Sequence, residues 1–458
     1  MSIRSQFIKY AENRTLVMDG AMGAMLQAYP APAEALCISK PEIVTEIHEA
    51  YLEAGADIAG TCTFNATSIS LAEFGMADRA YELSLAAAKL ARKAADKFST
   101  KDRLRFVAGS MGPTAKSASF APDMNNPLIR AVTWDELEAA YYDNARGLLD
   151  GGTDIFLVET IIDPINAKAA IHAILRLGEE RMQDLPIIVS ASIMEKGGRL
   201  LSGQTLEAFF ISTLHAKPLA IGLNCSFGAE KMEAHLVELS AKSLSGMLPA
   251  LICAYPNAGL PNHEGTYDED PNTMAGHIES YLKKGIVNIV GGCCGSTPAH
   301  IKAIAEKAAM YKARSLPAAK DSTGNDSKNI YFDGNEIHKL SGPLNIKTLD
   351  INSLINNDEY EEASDMLMDH EDEEFLNINV DGIKKESLVN FLNYALQYPS
   401  VIRMGFILSG SAMENIEAAL KCLPGKSIIQ VEGIKAGSDD YIRLSKMAGF
   451  YAAAVIEK

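Results

Sequence analysis

The sequence predicts an α/β protein, a (β/α)8 TIM barrel followed by a smaller, incomplete β/α domain. Two observations carry the prediction. Over the first ~310 residues short apolar runs alternate with amphipathic helical patterns, as in repeated β-α units on a parallel sheet. Residues able to do chemistry directly follow those runs, where barrels of this kind place their active sites.

The apolar runs, in order, are 16–18, 56–59, 106–108, 155–158, 187–191, 220–223, 251–254 and 286–290. Helical patterns separate them. In 41–55, for example, Ile43, Ile47, Ala50 and Tyr51 share a face and Gly55 offers a C-cap. A last helix at 298–312 completes the set. A doubly wound sheet is the alternative. Seven of the eight runs end in polar or reactive residues: Asp19, Thr61 to Thr63, Ser110, Glu159 and Thr160, Asn224 and Cys225, Tyr255 to Asn257, and Cys293 with Cys294.

The chain has 458 residues, 42 basic and 59 acidic, for a net charge of −17. That length calls for more than one domain. The acidic balance argues against nucleic acid or an anionic membrane as partner. No apolar run reaches the ~18 residues of a spanning helix, and the first residues lack a secretory apolar core, so a cytoplasmic protein is expected. Seven cysteines in such a chain point to metal binding, catalysis or burial rather than disulfides.

Composition divides the chain into a barrel at 1–312, a polar linker at 313–341 and a second domain at 342–458. Residues 350–374 hold eleven acidic residues and no Lys or Arg, with a narrow stripe of Tyr360, Ala363, Leu367 and Met368; this reads as a solvated acidic helix face. Strands then follow at 375–380, 401–408, 427–431 and 451–456, with helices at 386–397, 412–421 and 439–448. With a first strand at 343–348 they make about five, too few to close a second barrel.

Cys225, Cys293 and Cys294 end the sixth and eighth runs, which open on one rim. Adjacent cysteines in a strand would face opposite ways, but the surrounding glycines let the backbone turn. Three thiolates with an open fourth position suit a zinc centre that activates an incoming thiol. Three inert buried thiols fit the spacing equally well. Asp19 and Glu159 suit an amino-acid ammonium group, or each caps the helix after it, which taken singly is the commoner use. Gly20, Gly23 and the turn at 109–113 would let backbone N–H groups approach a carboxylate. Cys37, Cys62, Cys253 and Cys422 read as structural.

The segments MDGAMGAMLQ, AYLEAGADI, TCTFNAT, GSMGPT, LVET, GLNCSFG and GGCCGSTPAHI resemble the homocysteine-binding methyltransferase superfamily. Within it they are most similar to the amino-terminal part of the cobalamin-dependent methionine synthases. The resemblance covers about residues 8–310. It implies Cys225, Cys293 and Cys294 as zinc ligands, Asp19 and Glu159 on the homocysteine amino group, and Asn224 as a substrate-binding residue beside the metal. Gly60 departs from it, standing where the family carries an acidic residue, and Cys62 replaces an asparagine. The second domain resembles the folate-binding barrel of the same enzymes in FLNINVDG, VNFLNYALQYPSVIRM and AALKCLPGKSIIQ. There Asn377 stands for an aspartate, and the polar strand ends read Leu408, Ser409, Gly410 and Gln430, Val431, Glu432. A decayed partial pterin-binding-like domain without folate binding is expected, its open edges covered by the first domain, a partner or a second copy in a homo-oligomer.

The expected activity is zinc-dependent methylation of homocysteine to methionine. No corrinoid-binding motif occurs in the chain, so methylcobalamin on a separate corrinoid protein would be the donor. The alternatives are a betaine or sulfonium donor, or a non-catalytic homocysteine-binding subunit of a split methionine synthase.

Overall fold

The computed structural model describes residues 2–29, 32–123, 125–317, 329–341, 348–370, 373, 375–431, 433–435 and 437–457. Eight parallel strands form the barrel: β1 (Leu16–Val17), β2 (Ile58–Gly60), β3 (Phe106–Met111), β4 (Ile155–Ile161), β5 (Ile187–Ala191), β6 (Ala220–Gly228), β7 (Leu251–Asn257) and β8 (Ile289–Val290). They neighbour one another in sequence from β2 to β8, and β8 pairs with β1. A bridge from Met18 to Ile58, with the Asp19 N–H donating to the Ile58 carbonyl at 3.0 Å, closes the ring. Helices cover the outside, so the strands are buried on both faces and read as continuous apolar runs.

Strands β3, β4, β6 and β7 run further than the apolar residues suggest, through Ser110, Glu159, Asn224 and Asn257. Backbone pairing does not depend on side-chain polarity, so the ladder continues where the interior turns polar. In the helix Pro41–Glu53 the buried residues are Val44, Ile47, His48, Tyr51 and Leu52, a face shifted by one position from the expected one.

Residues 329–341, expected within the linker, form an antiparallel hairpin of β9 (Asn329–Asp333) and β10 (Ile337–Ser341); residues 318–328 lie outside the described residues. The second domain is a parallel sheet in sequence order: β11 (Thr348–Leu349), β12 (Phe375–Asn379), β13 (Gly405–Ser409), β14 (Ser427–Val431) and β15 (Ala453–Glu457). The expected strand at 343–348 meets this sheet at Thr348, its other residues lying outside the described ones. The expected strand at 401–408 begins instead as a short helix, Pro399–Ile402, because proline suits a first helical turn. The acidic segment forms the helix Tyr360–Met368, which buries Tyr360, Ala363, Ser364 and Leu367. Phe332 of the hairpin is buried against Ile407 and Ile428, so the hairpin covers one face of the open sheet.

The two domains share one apolar core. Trp134 and His172 of the barrel stack with Tyr451 at 5.4 and 4.8 Å. Lys168 is fully buried and donates from Nζ to the carbonyls of Leu423 (2.8 Å) and Gly425 (3.0 Å) in the second domain. Burial pushes its ammonium down to about 8, opposed by the nearby Asp333 carboxylate. Among the described residues no helix is long and apolar enough to cross a membrane.

Lys168→Met keeps the aliphatic bulk but leaves the Leu423 and Gly425 carbonyls buried without their donor. Urea denaturation should show a loss of about 3 kcal/mol. A loss under about 1 kcal/mol would mean that the two domains do not depend on this contact.

Candidate active site

One cavity of about 350 Å³ opens at the carboxyl end of the barrel and is lined by Asp19, Thr61, Cys62, Ser110, Glu159, Cys225, Tyr255, Cys293 and Cys294, among others. Among the described residues its lining contains no lysine, arginine or histidine.

Three of the four lining thiols lie to either side of β7, Cys225 on β6 and Cys293 with Cys294 in the turn after β8. The ligand atoms of Cys225, Cys293 and Cys294 all lie within 4.8 Å of one another, with the Cys225 and Cys294 sulfurs 3.9 Å apart. Four ligands at ~2.3 Å around a tetrahedral zinc would sit ~3.8 Å from one another, so the donor set fits that ion in kind and in spacing. Hydrogen bonds from Cys225 and then Cys293 hold the Cys294 thiol well below its ordinary range, and the same sharing pushes Cys293 up. A cluster that favours one thiolate in its unmetallated form is prepared for a soft cation.

The backbone explains how the sulfurs converge. β8 ends at Val290, so Cys293 and Cys294 occupy a turn and escape strand alternation. β7 holds that turn: the Cys293 N–H donates to the Pro256 carbonyl at 2.7 Å and the Cys294 N–H to Asn257 Oδ1 at 3.2 Å. Gly295 adopts φ +78°, and a Cβ there would fall 2.2 Å from that of Tyr267, so only glycine fits. On β6 the register shifts between Cys225 and Gly228. Cys225 (φ 57°) and Ser226 (φ 62°) are both left-handed without being glycine. Such a bulge re-aims a side chain at the rim of a barrel.

β4 has a matching shift between Val158 and Ile161, with Thr160 at φ 57°. Glu159 lies in it and accepts a 2.5 Å hydrogen bond from the Ser110 hydroxyl. Burial pushes its carboxyl up to about 7, against the hydrogen bonds of Ser110 and Tyr255. Asp19 ends β1 and accepts from the Gly60 N–H at 2.8 Å; burial raises its carboxyl well above the ordinary range, and the Glu159 charge adds to this. With Glu34, three carboxyls line the cavity without a basic neighbour among the described residues, an arrangement that suits a cation brought by a ligand. A Cβ at Gly60 would lie 3.3 Å from Asp19 Oδ1, so an acidic side chain there would crowd that carboxylate.

Asn224 lies beside the thiol cluster but not among the lining residues of the cavity. It is fully buried behind the lining: Oδ1 accepts from the Ser190 hydroxyl (2.6 Å) and the Thr160 N–H (3.0 Å), and Nδ2 donates to Thr160 Oγ1 (2.7 Å) and faces the Cys293 sulfur at 3.8 Å. With its amide so engaged it ties the Glu159–Thr160 bulge to the thiol cluster. Gly20 and Gly112 also have packing reasons, since a Cβ would meet the Tyr51 ring at 2.7 Å and the Phe64 carbonyl at 2.6 Å. Cys62 is buried at the cavity wall, and the Cys37 thiol donates to its carbonyl. Sequence reasoning missed Ser190 and Tyr267, single residues with no motif around them, and the role of Ser226, which stands within the GLNCSFG segment.

A family model described as homocysteine S-methyltransferase matches residues 16–308. The chain belongs to the homocysteine S-methyltransferase family. Among solved structures, the fold is similar to the homocysteine methyltransferase MmuM from Escherichia coli in its metallated form, with 23% identity and a TM-score of 0.51, covering 66% of this chain and 98% of that one. Its oxidized form matches with 24% identity and a TM-score of 0.49, covering 64% and 96%. The E. coli fold thus accounts for about two thirds of this chain. The family match covers every residue of the cavity named above.

Asn224→Leu removes the shared acceptor while keeping the volume. The Ser190 hydroxyl and Thr160 N–H would then be buried without partners, and chemical denaturation should show a loss of about 2–4 kcal/mol. A stability within about 0.5 kcal/mol of the parent would refute the linking role.

Proposed function

We propose that this chain is a zinc-dependent homocysteine S-methyltransferase that forms methionine, with methylcobalamin on a separate corrinoid protein as donor. The carrying observation is the convergence of the three clustered thiols with the carboxyls of Asp19, Glu34 and Glu159 on one cavity that, among the described residues, lacks a basic side chain. Cys225, Cys293 and Cys294 would hold the metal, which when bound supplies Lewis acidity that keeps a substrate thiol deprotonated at neutral pH.

The chain's own residues do the rest. Asp19 and Glu159 would pair with the substrate ammonium, and the half-buried hydrogen bonds from the Gly60 N–H and the Ser110 hydroxyl fix where those carboxylates stand. Anchoring the amino end aims the sulfur end of homocysteine toward the thiol cluster. The barrel wall removes the thiolate from bulk water, and fixed orientation replaces a bimolecular encounter. In the transfer a sulfur–carbon bond forms as the bond from carbon to the donor breaks, its electron pair staying on the donor; the thiol proton leaves to solvent. The second domain is proposed to have no folate-binding function: Asn377 stands where the resemblance would place an aspartate, and its Nδ2 donates to the Thr348 hydroxyl at 2.9 Å.

One observation favours a second reading. The lining adds Phe64 and Tyr267 to its acidic groups, a setting that suits a small cationic donor such as a sulfonium or a betaine. A donor panel separates the two. With zinc-loaded protein and homocysteine, methionine should form from methylcobalamin and be lost in Cys294→Ala. Turnover with the sulfonium or betaine alone would reverse the choice of donor, and no turnover with any donor would favour a binding subunit.

The carboxyl of Glu159 sets a pH dependence. Protons compete with the substrate ammonium for it, so affinity is present above about pH 7 and falls as pH drops through that value. Homocysteine KM measured between about pH 6 and 8 should rise toward the acid side. Glu159→Gln should raise KM about tenfold or more and remove the break near pH 7. An unchanged profile would exclude Glu159 from the substrate.

A further inference from the structure

We propose that the second domain is a brace for the metal-binding turn, acting through the β9–β10 hairpin and the loop after β5 to hold Ser226 and, with it, Cys225. This rests on the reading of Cys225 as a metal ligand.

The need for a brace lies in the backbone. Cys225 and Ser226 are consecutive left-handed residues with side chains, a conformation that persists only when surrounding contacts over-determine it. Those contacts come from the loop joining β5 to the helix Leu206–Thr213. The Ile193 N–H donates to Ser226 Oγ at 2.9 Å, and the hydroxyls of Ser192 and Ser226 are 3.0 Å apart. Ser226 Oγ also reaches the Asn224 carbonyl at 3.3 Å.

The loop is not rigid by composition. It contains Gly197, Gly198 and Gly203, all at positive φ, and exposes Met194 and Leu201. The second domain fixes its far end. Gln204, fully buried, donates from Nε2 to Asp333 Oδ2 (3.1 Å) and to the Gly334 carbonyl (2.9 Å). The Thr205 N–H donates to the Asn335 carbonyl at 3.0 Å, and Arg199 forms an ion pair with Glu336.

The hairpin tip is itself pinned. Asp333 and Lys426 exchange hydrogen bonds at 3.0 and 2.9 Å, and the Asn335 N–H donates to the Ile402 carbonyl at 2.8 Å. Gly334 presses so closely on the second domain that a Cβ would lie 2.1 Å from the Met404 carbonyl. A continuous path of hydrogen bonds thus runs from the second sheet, through the hairpin and the glycine-rich loop, to the residue after Cys225. Gln204, Arg199 and Ser226 are positioning residues on that path, with no contact to substrate required.

The test is a double-mutant cycle in the whole 458-residue chain, read as Co2+ affinity. Thiolate-to-cobalt absorption under chelator competition reports the metal, and the thermal midpoint is recorded for each variant. Gln204→Leu and Ser226→Ala should each weaken Co2+ binding by about tenfold. The double variant should be no weaker than the poorer single one, since both break the same path. Arg199→Gln, at a half-exposed pair, should weaken binding in the same direction and serves if Gln204→Leu does not fold. Parental affinity in Gln204→Leu or Arg199→Gln, or effects that multiply in the double variant, would overturn the brace while leaving the metal reading intact. A parental protein that gives no thiolate-to-cobalt absorption would instead overturn the metal reading on which the brace stands.

Discussion

Three cysteine sulfurs within 4.8 Å of one another, drawn from two strands that are not neighbours, form the constraint around which this molecule is arranged. Neither strand can present them in regular geometry. β6 meets the requirement with a bulge and two left-handed residues, and β8 ends early so that its cysteines sit in a turn. The strand between them supplies the Pro256 carbonyl and Asn257 side chain that fix that turn. Asn224 then ties the cluster to the bulge on β4 that carries Glu159. Each irregularity is local, yet together they place sulfur ligands at one end of a cavity whose lining also carries Asp19 and Glu159.

The electrostatics follow from the same economy of groups. The cavity is acidic and contains no basic side chain, so its carboxyls are pushed up by burial until a cation arrives. A substrate with an ammonium at one end and a thiol at the other complements both halves. The family match over 16–308 gives that complementarity its context, because it covers the whole site.

Most of the barrel was legible in the sequence, because strands buried on both faces announce themselves as apolar runs. β5 was read to the residue, and the strands bearing Ser110, Glu159, Asn224 and Asn257 were read short because their polar ends break the run while the ladder continues. The cysteines and carboxyls were legible from their places after those runs and from the resemblance they carry. Asn224 was identified as important, but its direction was not: whether a side chain faces the cavity or its back depends on the β4 and β6 bulges. Gln204 carries no sequence signal, and the GLNCSFG segment does not reveal what Ser226 holds, since the importance of both comes from contacts across loops and between domains. The hairpin was missed for another reason. Asp333 and Gly334 between Ile330, Phe332 and Ile337 make a recognisable turn signal, yet the polar stretch before it made the whole segment look like a linker. The strand expected from 401 was misjudged because Val401 and Ile402 are apolar for packing in a short helix begun by Pro399.

The central claim is that homocysteine enters as a sulfur ligand to a centre built from three cysteines. X-ray absorption at the zinc edge of the metal-loaded protein, before and after addition of homocysteine, addresses it most directly. The account predicts three sulfur neighbours at ~2.3 Å beforehand and four afterwards. An unchanged sulfur count with homocysteine bound would contradict it, and would place the substrate thiol elsewhere in the cavity.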